Sequence, residues 1–321
     1  MIRTLLILLI PTGLLSSMTL FSCENGETIT EDPIQFDSVL VQNFTYHVQT
    51  EDTLKINLYQ KSNEIKPLVL FVHGGGFMGG SYNHPFVAQF CDSLAQTGVH
   101  VASMSYRLTL KGQTFDCDQT IENKISAFTE CVNDIRLATN YCLKNAARMN
   151  LDSNIILCGS SAGAEAGVHQ IYWEHDFLKG AENPLDPNFT YSAFISMAGA
   201  ITDTTLMETS SAIPTLFFHG ACDPLVPICS NIHRYCEANE PGALMLHGSI
   251  SMSQRLASLR VPHWTIIECG GDHSIANRAM TDYFGFIAEF VEKTFSDELK
   301  ETRVEIIENG TCDEIFCPVC D

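Results

Sequence analysis

The sequence runs to 321 residues, 45% hydrophobic and 17% charged with 12 prolines, a balance that excludes a disordered, collagen-like or coiled-coil chain and fits one large domain or two small ones. Thirty-eight acidic against 18 basic residues give a formal charge of −20, and with no basic block as a local exception, neither nucleic acid nor an anionic membrane surface is expected as a partner. Thirteen cysteines are many for this length, so the compartment has to be read from the N-terminus.

Residues 1–22, MIRTLLILLIPTGLLSSMTLFS, place Arg3 before an apolar run and Ser16 and Ser17 after it, with no acidic group. That is the pattern of a secretory signal peptide. Pro11, Gly13 and the serines interrupt the run, leaving it short of the roughly 20 apolar residues that a spanning helix needs. Leu20, Phe21, Ser22 and Cys23 resemble a bacterial lipobox, although Phe21 is larger than that pattern usually holds. The resemblance implies lipidation of Cys23, an exported protein in the periplasm or on the cell surface, and membrane attachment through the lipid alone. Residues 23–35 are acidic and read as a tether. In an exported chain the other cysteines are expected to form disulfides, with the pairing open.

From residue 36 to 296, short apolar runs alternate with longer amphipathic stretches, which predicts one α/β domain with a doubly wound, mostly parallel sheet and helices on both faces. Segments 44–49 and 54–59 alternate polar and apolar residues and read as an antiparallel edge. Buried strands are expected at 67–72, 100–106, 154–158, 193–198, 214–219 and 263–268, each apolar throughout as a strand covered on both faces should be. Helices are expected at 85–97, 119–149, 162–175, 228–237, 251–259 and 275–295. Stretches 108–118 and 176–190 break the alternation and read as loops over a pocket. Residues 297–321 read as an acidic, cysteine-containing accessory tail. Its Cys312, Cys317 and Cys320 lack an obvious fourth zinc ligand, so disulfides are the preferred reading.

Four motifs follow strand ends. HGGGF, residues 73–77, succeeds PLVLFV; its consecutive glycines let main-chain amides approach a developing oxyanion, with Gly75 and Gly76 as the chosen donors. GSSAG, residues 159–163, marks a sharp strand-to-helix turn that would hold the Ser161 hydroxyl above the sheet edge, with the Ala162 amide as a third donor. HGACDPLVP, residues 219–227, places Asp223 in a loop where a carboxylate can orient a histidine. GGDHSIAN, residues 270–277, brings His273 to the same edge. Asp272 is the rival acid, disfavoured because adjacent loop residues orient each other poorly. His73 and His219 open glycine turns and read as structural, and the other histidines lack paired ligand spacing, so no metal is expected. Cys158 reads as a small core residue. Cys131 with Cys142, and Cys229 with Cys236, each share a face of an expected helix and cannot bridge within it.

On HGGG, GSSAG and the order Ser161, Asp223, His273, residues 40–296 resemble an α/β-hydrolase of the esterase and lipase type, although Ala164 and Ser160 depart from common variants of the serine turn. The resemblance implies Ser161 as nucleophile, His273 as general base and then acid, and Asp223 as its orienting partner. It also implies that Asp134 and Arg136 are a structural pair. The expected activity is hydrolysis of short-acyl carboxylic esters, small molecules or glycans such as acetylated sugars, through an acyl-enzyme and without a cofactor. A peptidase or amidase and a catalytically silent binding scaffold are the alternatives. Phe77, Met78 and Phe115 are expected to line the substrate pocket, with Trp173 or Trp264 nearby.

Overall fold

Strand β3 (Lys66–Val72), KPLVLFV, shows why the molecule has two layers of helix. Alternate side chains of a strand leave opposite faces. Leu68, Leu70 and Val72 enter one apolar core and Val69 and Phe71 the other, so none of these five positions can be polar without loss. The computed structural model describes residues 34–48, 53–173, 184–312, 317 and 320. The expected signal peptide, Cys23, most of the tether and residues 176–183 of the second expected loop lie outside these.

The described residues build a nine-stranded sheet. Its antiparallel edge is β1 (Gln35–Val48) on β2 (Thr53–Ser62), followed by β4 (His100–Met104) and β3. From β4 onward the pairing is parallel, through β5 (Leu151–Ser160), β6 (Ala193–Met197), β7 (Thr215–Gly220), β10 (His263–Cys269) and β11 (Arg303–Glu308). The short strands β8 (Ser230–Ile232) and β9 (Met245–His247) form a separate ribbon.

Helices α2 (Ile121–Lys144) and α4 (Ala162–Tyr172) share one core with α5 (Ser249–Leu259). The helices α1 (Pro85–Ala95) and α7 (Phe284–Phe295) share the other. Helix α2 starts where the Thr120 hydroxyl accepts from Asn123 N–H, satisfying one of the donors every helix start leaves open. Its buried Ala127, Phe128, Cys131, Ile135, Ala138 and Cys142 recur at three and four residues, the spacing of one helical face.

Four expectations need correction. The helix expected over 119–149 divides at Asn145, after which α3 (Ala146–Met149) is a single turn. The last helix likewise divides, into α6 (Ile275–Arg278) and α7. Residues 228–237 do not form the expected α-helix: beyond β8 only a distorted 3-10 turn spans His233–Tyr235, and Arg234 and Tyr235 have φ of 58° and 52°, outside the right-handed helical region. Cys229 and Cys236, expected to share a helix face, bond instead to Cys317 and Cys117. Finally, the acidic tail is not an accessory to the sheet but its ninth strand, paired with β10 from Trp264↔Arg303 to Cys269↔Glu308.

The tail cysteines are held in disulfides, Cys222–Cys312, Cys229–Cys317 and Cys269–Cys320. Cys91, Cys131, Cys142 and Cys158 are free and buried. Burial pushes the Cys158 thiol well above its usual range, which leaves it a core side chain as its sequence position implied.

Candidate active site

At the end of β5 the chain must reverse into α4 within a few atoms. A Cβ on Gly159 would lie 2.3 Å from the Gly163 carbonyl oxygen, and one on Gly163 would lie 2.2 Å from that of Val72. Only hydrogen fits at either place. The turn between them forces Ser161 to φ 52° and ψ −122°, an unfavourable conformation for a residue with a side chain.

The strained turn delivers Ser161 Oγ to 2.8 Å from His273 Nε2. His273 Nδ1 in turn lies 2.7 Å from Asp223 Oδ2. Asp223 is wholly buried, and its Oδ1 accepts from the amides of Leu225 (2.8 Å) and Val226 (3.0 Å). Burial alone would raise the Asp223 carboxyl, but the hydrogen bonds and charges of His219 and His273 outweigh it and hold the group far below the usual carboxylate range. For His273, burial lowers the pKa and the hydrogen bond and charge of Asp223 raise it. The second effect wins, so the imidazole sits above its ordinary value.

Asp272 is exposed, and its Oδ1 accepts from the Ser274 amide; it therefore does not compete for His273. His219 is buried between Ser249 Oγ at 2.8 Å and the Val226 carbonyl at 3.0 Å, and stands 3.5 Å from Asp223 Oδ2. It braces the Asp223 loop, the structural role its place in the sequence suggests. His73 bonds the Gly74 carbonyl at 2.7 Å and stacks on Tyr106, and burial pushes it down to about 4.

Ser161 and His273 open onto a cavity of about 590 Å³ lined also by Gly75, Gly76, Met78 and Phe115. Gly75 and Gly76 take φ of 123° and 62°, and with Ala162 at the start of α4 their amides donate to no backbone carbonyl among the described residues. Phe77 is not in this wall. Its own φ of 57° turns the ring inward, where it is fully buried against Tyr106, Phe115 and Phe128. Trp173 packs on His169, and Trp264 packs in the opposite core against Phe290; neither lines the cavity. Asp134 and Arg136 are not a pair: Asp134 bonds Arg107 at 2.8 Å and Arg136 bonds Gln170 at 3.0 Å.

Sequence reasoning missed a group of polar residues in the cavity wall. Glu165, His233 and Arg234 all contribute to it, and Lys124 lies buried behind Phe115 with its Nζ on the Gly242 carbonyl. Burial pushes Glu165 up to about 7, against the opposing charges of Arg234, His273 and Lys124. Glu165 was findable, since it lies in the first turn of the helix that Ser161 opens. His233 and Arg234 had no local signal.

Residues 54–210 match the BD-FAE family; that span holds HGGGF and GSSAG but neither Asp223 nor His273. Among curated proteins the chain is similar to secreted lipase 5 of Gibberella zeae, 30% identical over 48% of this chain and 30% of the relative. It is also similar to esterase P of Drosophila melanogaster, 33% identical over 43% of this chain and 26% of the relative. The chain thus spans under a third of the length of these relatives. A thermophilic esterase from the planctomycete Thermogutta terrifontis superposes with a TM-score of 0.57 at 18% identity, covering 82% of this chain and 94% of that one. Brefeldin A esterase, a bacterial homologue of human hormone-sensitive lipase, superposes with a TM-score of 0.55 at 13% identity, over 83% of this chain and 78% of the other. The parallel strand order and these likenesses identify the chain's fold as that of the α/β-hydrolases.

Proposed function

We propose that the chain is an exported serine hydrolase of carboxylic esters. The observation that carries this is the continuous hydrogen-bonded series from Ser161 through His273 to buried Asp223 at the wall of a ligand-sized cavity. In this reading His273 removes the Ser161 proton as Oγ attacks the ester carbonyl, and Asp223 stabilises the imidazolium that forms. The amides of Gly75, Gly76 and Ala162 receive the oxyanion. His273 then protonates the departing alcohol, and water, activated by the same ring, releases the acid from the acyl-enzyme. Short-acyl esters, acetylated sugars among them, are the proposed substrates.

The disulfides support export, since such bonds persist in oxidising compartments. Lipid attachment through Cys23 is part of the same proposal. No described helix is long and apolar enough to cross a membrane.

The test is hydrolysis of p-nitrophenyl esters from acetate to palmitate, together with fluorophosphonate labelling and mass mapping of the modified residue. Turnover that falls with chain length and label on Ser161 are expected. Labelling without ester turnover would turn the reading towards an amidase or peptidase, and neither would leave a silent scaffold.

The acid limb of the pH profile follows from His273. The base works only when neutral, and its pKa is raised, so kcat/KM is expected to fall as pH drops through a midpoint above the ordinary imidazole value of about 6.5. A midpoint below that value in a kcat/KM titration would contradict the Asp223 contact as drawn.

A further inference from the structure

Three side chains in the wall of the Ser161 cavity take no part in the hydrolysis just described. Glu165 and His233 are each 1% exposed, and Arg234 stands beside them. Glu165 Oε1, His233 Nδ1 and Arg234 Nε are buried with no hydrogen-bond partner among the described residues. Glu165 Oε1 and His233 Nε2 are 3.8 Å apart, beyond hydrogen-bond reach. The Arg234 guanidinium lies 5.7 Å from the centre of the Phe115 ring. Buried polar groups are almost always paired, and the side chains that carry these three unmet atoms all line one cavity, so water there, or a ligand that displaces it, completes them through small side-chain shifts.

The kind of ligand follows from the mixture. A carboxylate accepts, a guanidinium donates, and a neutral imidazole does one at each nitrogen. A hydroxyl both donates and accepts, and one or two of them satisfy such a set together. An alkyl chain would leave all three groups unmet, and an anionic group would suit Arg234 but leave the Glu165 carboxyl with a like charge beside it whenever it ionises. The loop is also built to hold its place. Arg234 sits in a left-handed conformation between two ties, its own amide on the Leu225 carbonyl at 3.0 Å and the Cys117–Cys236 disulfide two residues on. Strain of this kind persists where the surroundings over-determine it, and it clusters at ligand sites.

We infer that Glu165, His233 and Arg234 form a hydroxyl-recognising subsite beside Ser161, selecting esters that carry hydroxyl groups a few bonds from the scissile carbonyl. The inference rests on the ester-hydrolase reading. Phe115 and Met78, in the same wall, cover the carbon skeleton while the polar trio reads its hydroxyls.

The experiment compares kcat/KM for glycerol monoacetate and propyl acetate, with monomethyl succinate and methyl butyrate as a carboxylate control. The wild-type protein is expected to favour the hydroxylated ester by about tenfold or more. Glu165→Met and Arg234→Met, which remove an acceptor and a donor at similar size, are each expected to bring that ratio towards one. A ratio is insensitive to a general loss of active protein, and if the buried Glu165 variant does not fold, the half-buried Arg234 variant and the wild-type ratio still decide. Turnover of both acetates at a ratio near one overturns the subsite and leaves ester hydrolysis standing. A preference unchanged in a folded variant overturns the assignment of these residues. Selection of the succinate half-ester over methyl butyrate overturns hydroxyl recognition in favour of a carboxylate site. Absence of both ester turnover and fluorophosphonate labelling brings down the hydrolase reading, and the subsite with it.

Discussion

Asp223→Asn is expected to lower kcat by about 10⁴-fold, the scale on which an equivalent change disables a serine–histidine pair by imposing the wrong tautomer. The geometry explains why an almost isosteric change should do so much. Asp223 Oδ1 accepts from two amides, Leu225 and Val226, and these buried donors need an oxygen. The asparagine carbonyl would therefore take the Oδ1 position and its NH₂ would face His273 Nδ1, now 2.7 Å from an oxygen. To avoid two opposed N–H groups the ring must carry its proton on Nε2, the atom that lies 2.8 Å from Ser161 Oγ. A protonated Nε2 cannot accept the serine proton. The loss should appear in kcat more than in KM, and fluorophosphonate labelling should slow in step. Asp272→Asn provides the contrast: its carboxylate is exposed and bonded to the Ser274 amide, so turnover should change no more than a few-fold. A large loss in Asp272→Asn with little in Asp223→Asn would reverse the assignment.

The residues of this relay were legible because each follows an apolar strand directly. In a parallel sheet the ends of such strands gather on one edge, so Ser161 after β5, Asp223 after β7 and His273 after β10 converge although 112 residues separate the outer two. The glycines that shape the turn are legible for a related reason, since nothing larger fits. What failed was governed by partners distant in sequence. Strand β11, RVEIIE, has the β-branched residues of a strand, but its acidic residues and edge position gave it the look of a solvated tail. The segment at 228–237 has enough apolar spacing to imitate a helix. Two disulfides to positions 88 and 119 residues away decide otherwise. Phe77 was misplaced for a local but invisible reason: a left-handed backbone after three glycines sends its ring to the core instead of the cavity.

Removing the Cys222–Cys312 disulfide, by alanine at both positions, is expected to lower stability by about 2–5 kcal/mol and Tm by roughly 3–8 °C. The bond joins residues 90 apart, so its main effect is to restrict the unfolded chain. Its position adds a consequence for the active site. Cys222 immediately precedes Asp223, and its amide bonds the Gly271 carbonyl at 2.8 Å while Ala221 N–H bonds the Glu268 carbonyl at 2.9 Å. These bonds already couple the Asp223 loop to the loop that carries His273. The disulfide adds a covalent tie from there to the segment after β11, which Cys269–Cys320 secures a second time. Because the backbone bonds remain, the double variant should keep most of its kcat at low temperature and lose activity on heating well before the parent protein. Thermal melts and residual-activity curves measured side by side would separate the two effects. An unchanged melt would mean that this bond contributes nothing to holding β11 on the sheet. A large drop in kcat without a change in Tm would mean that the disulfide positions Asp223 directly, a role the hydrogen bonds between the two loops make unnecessary.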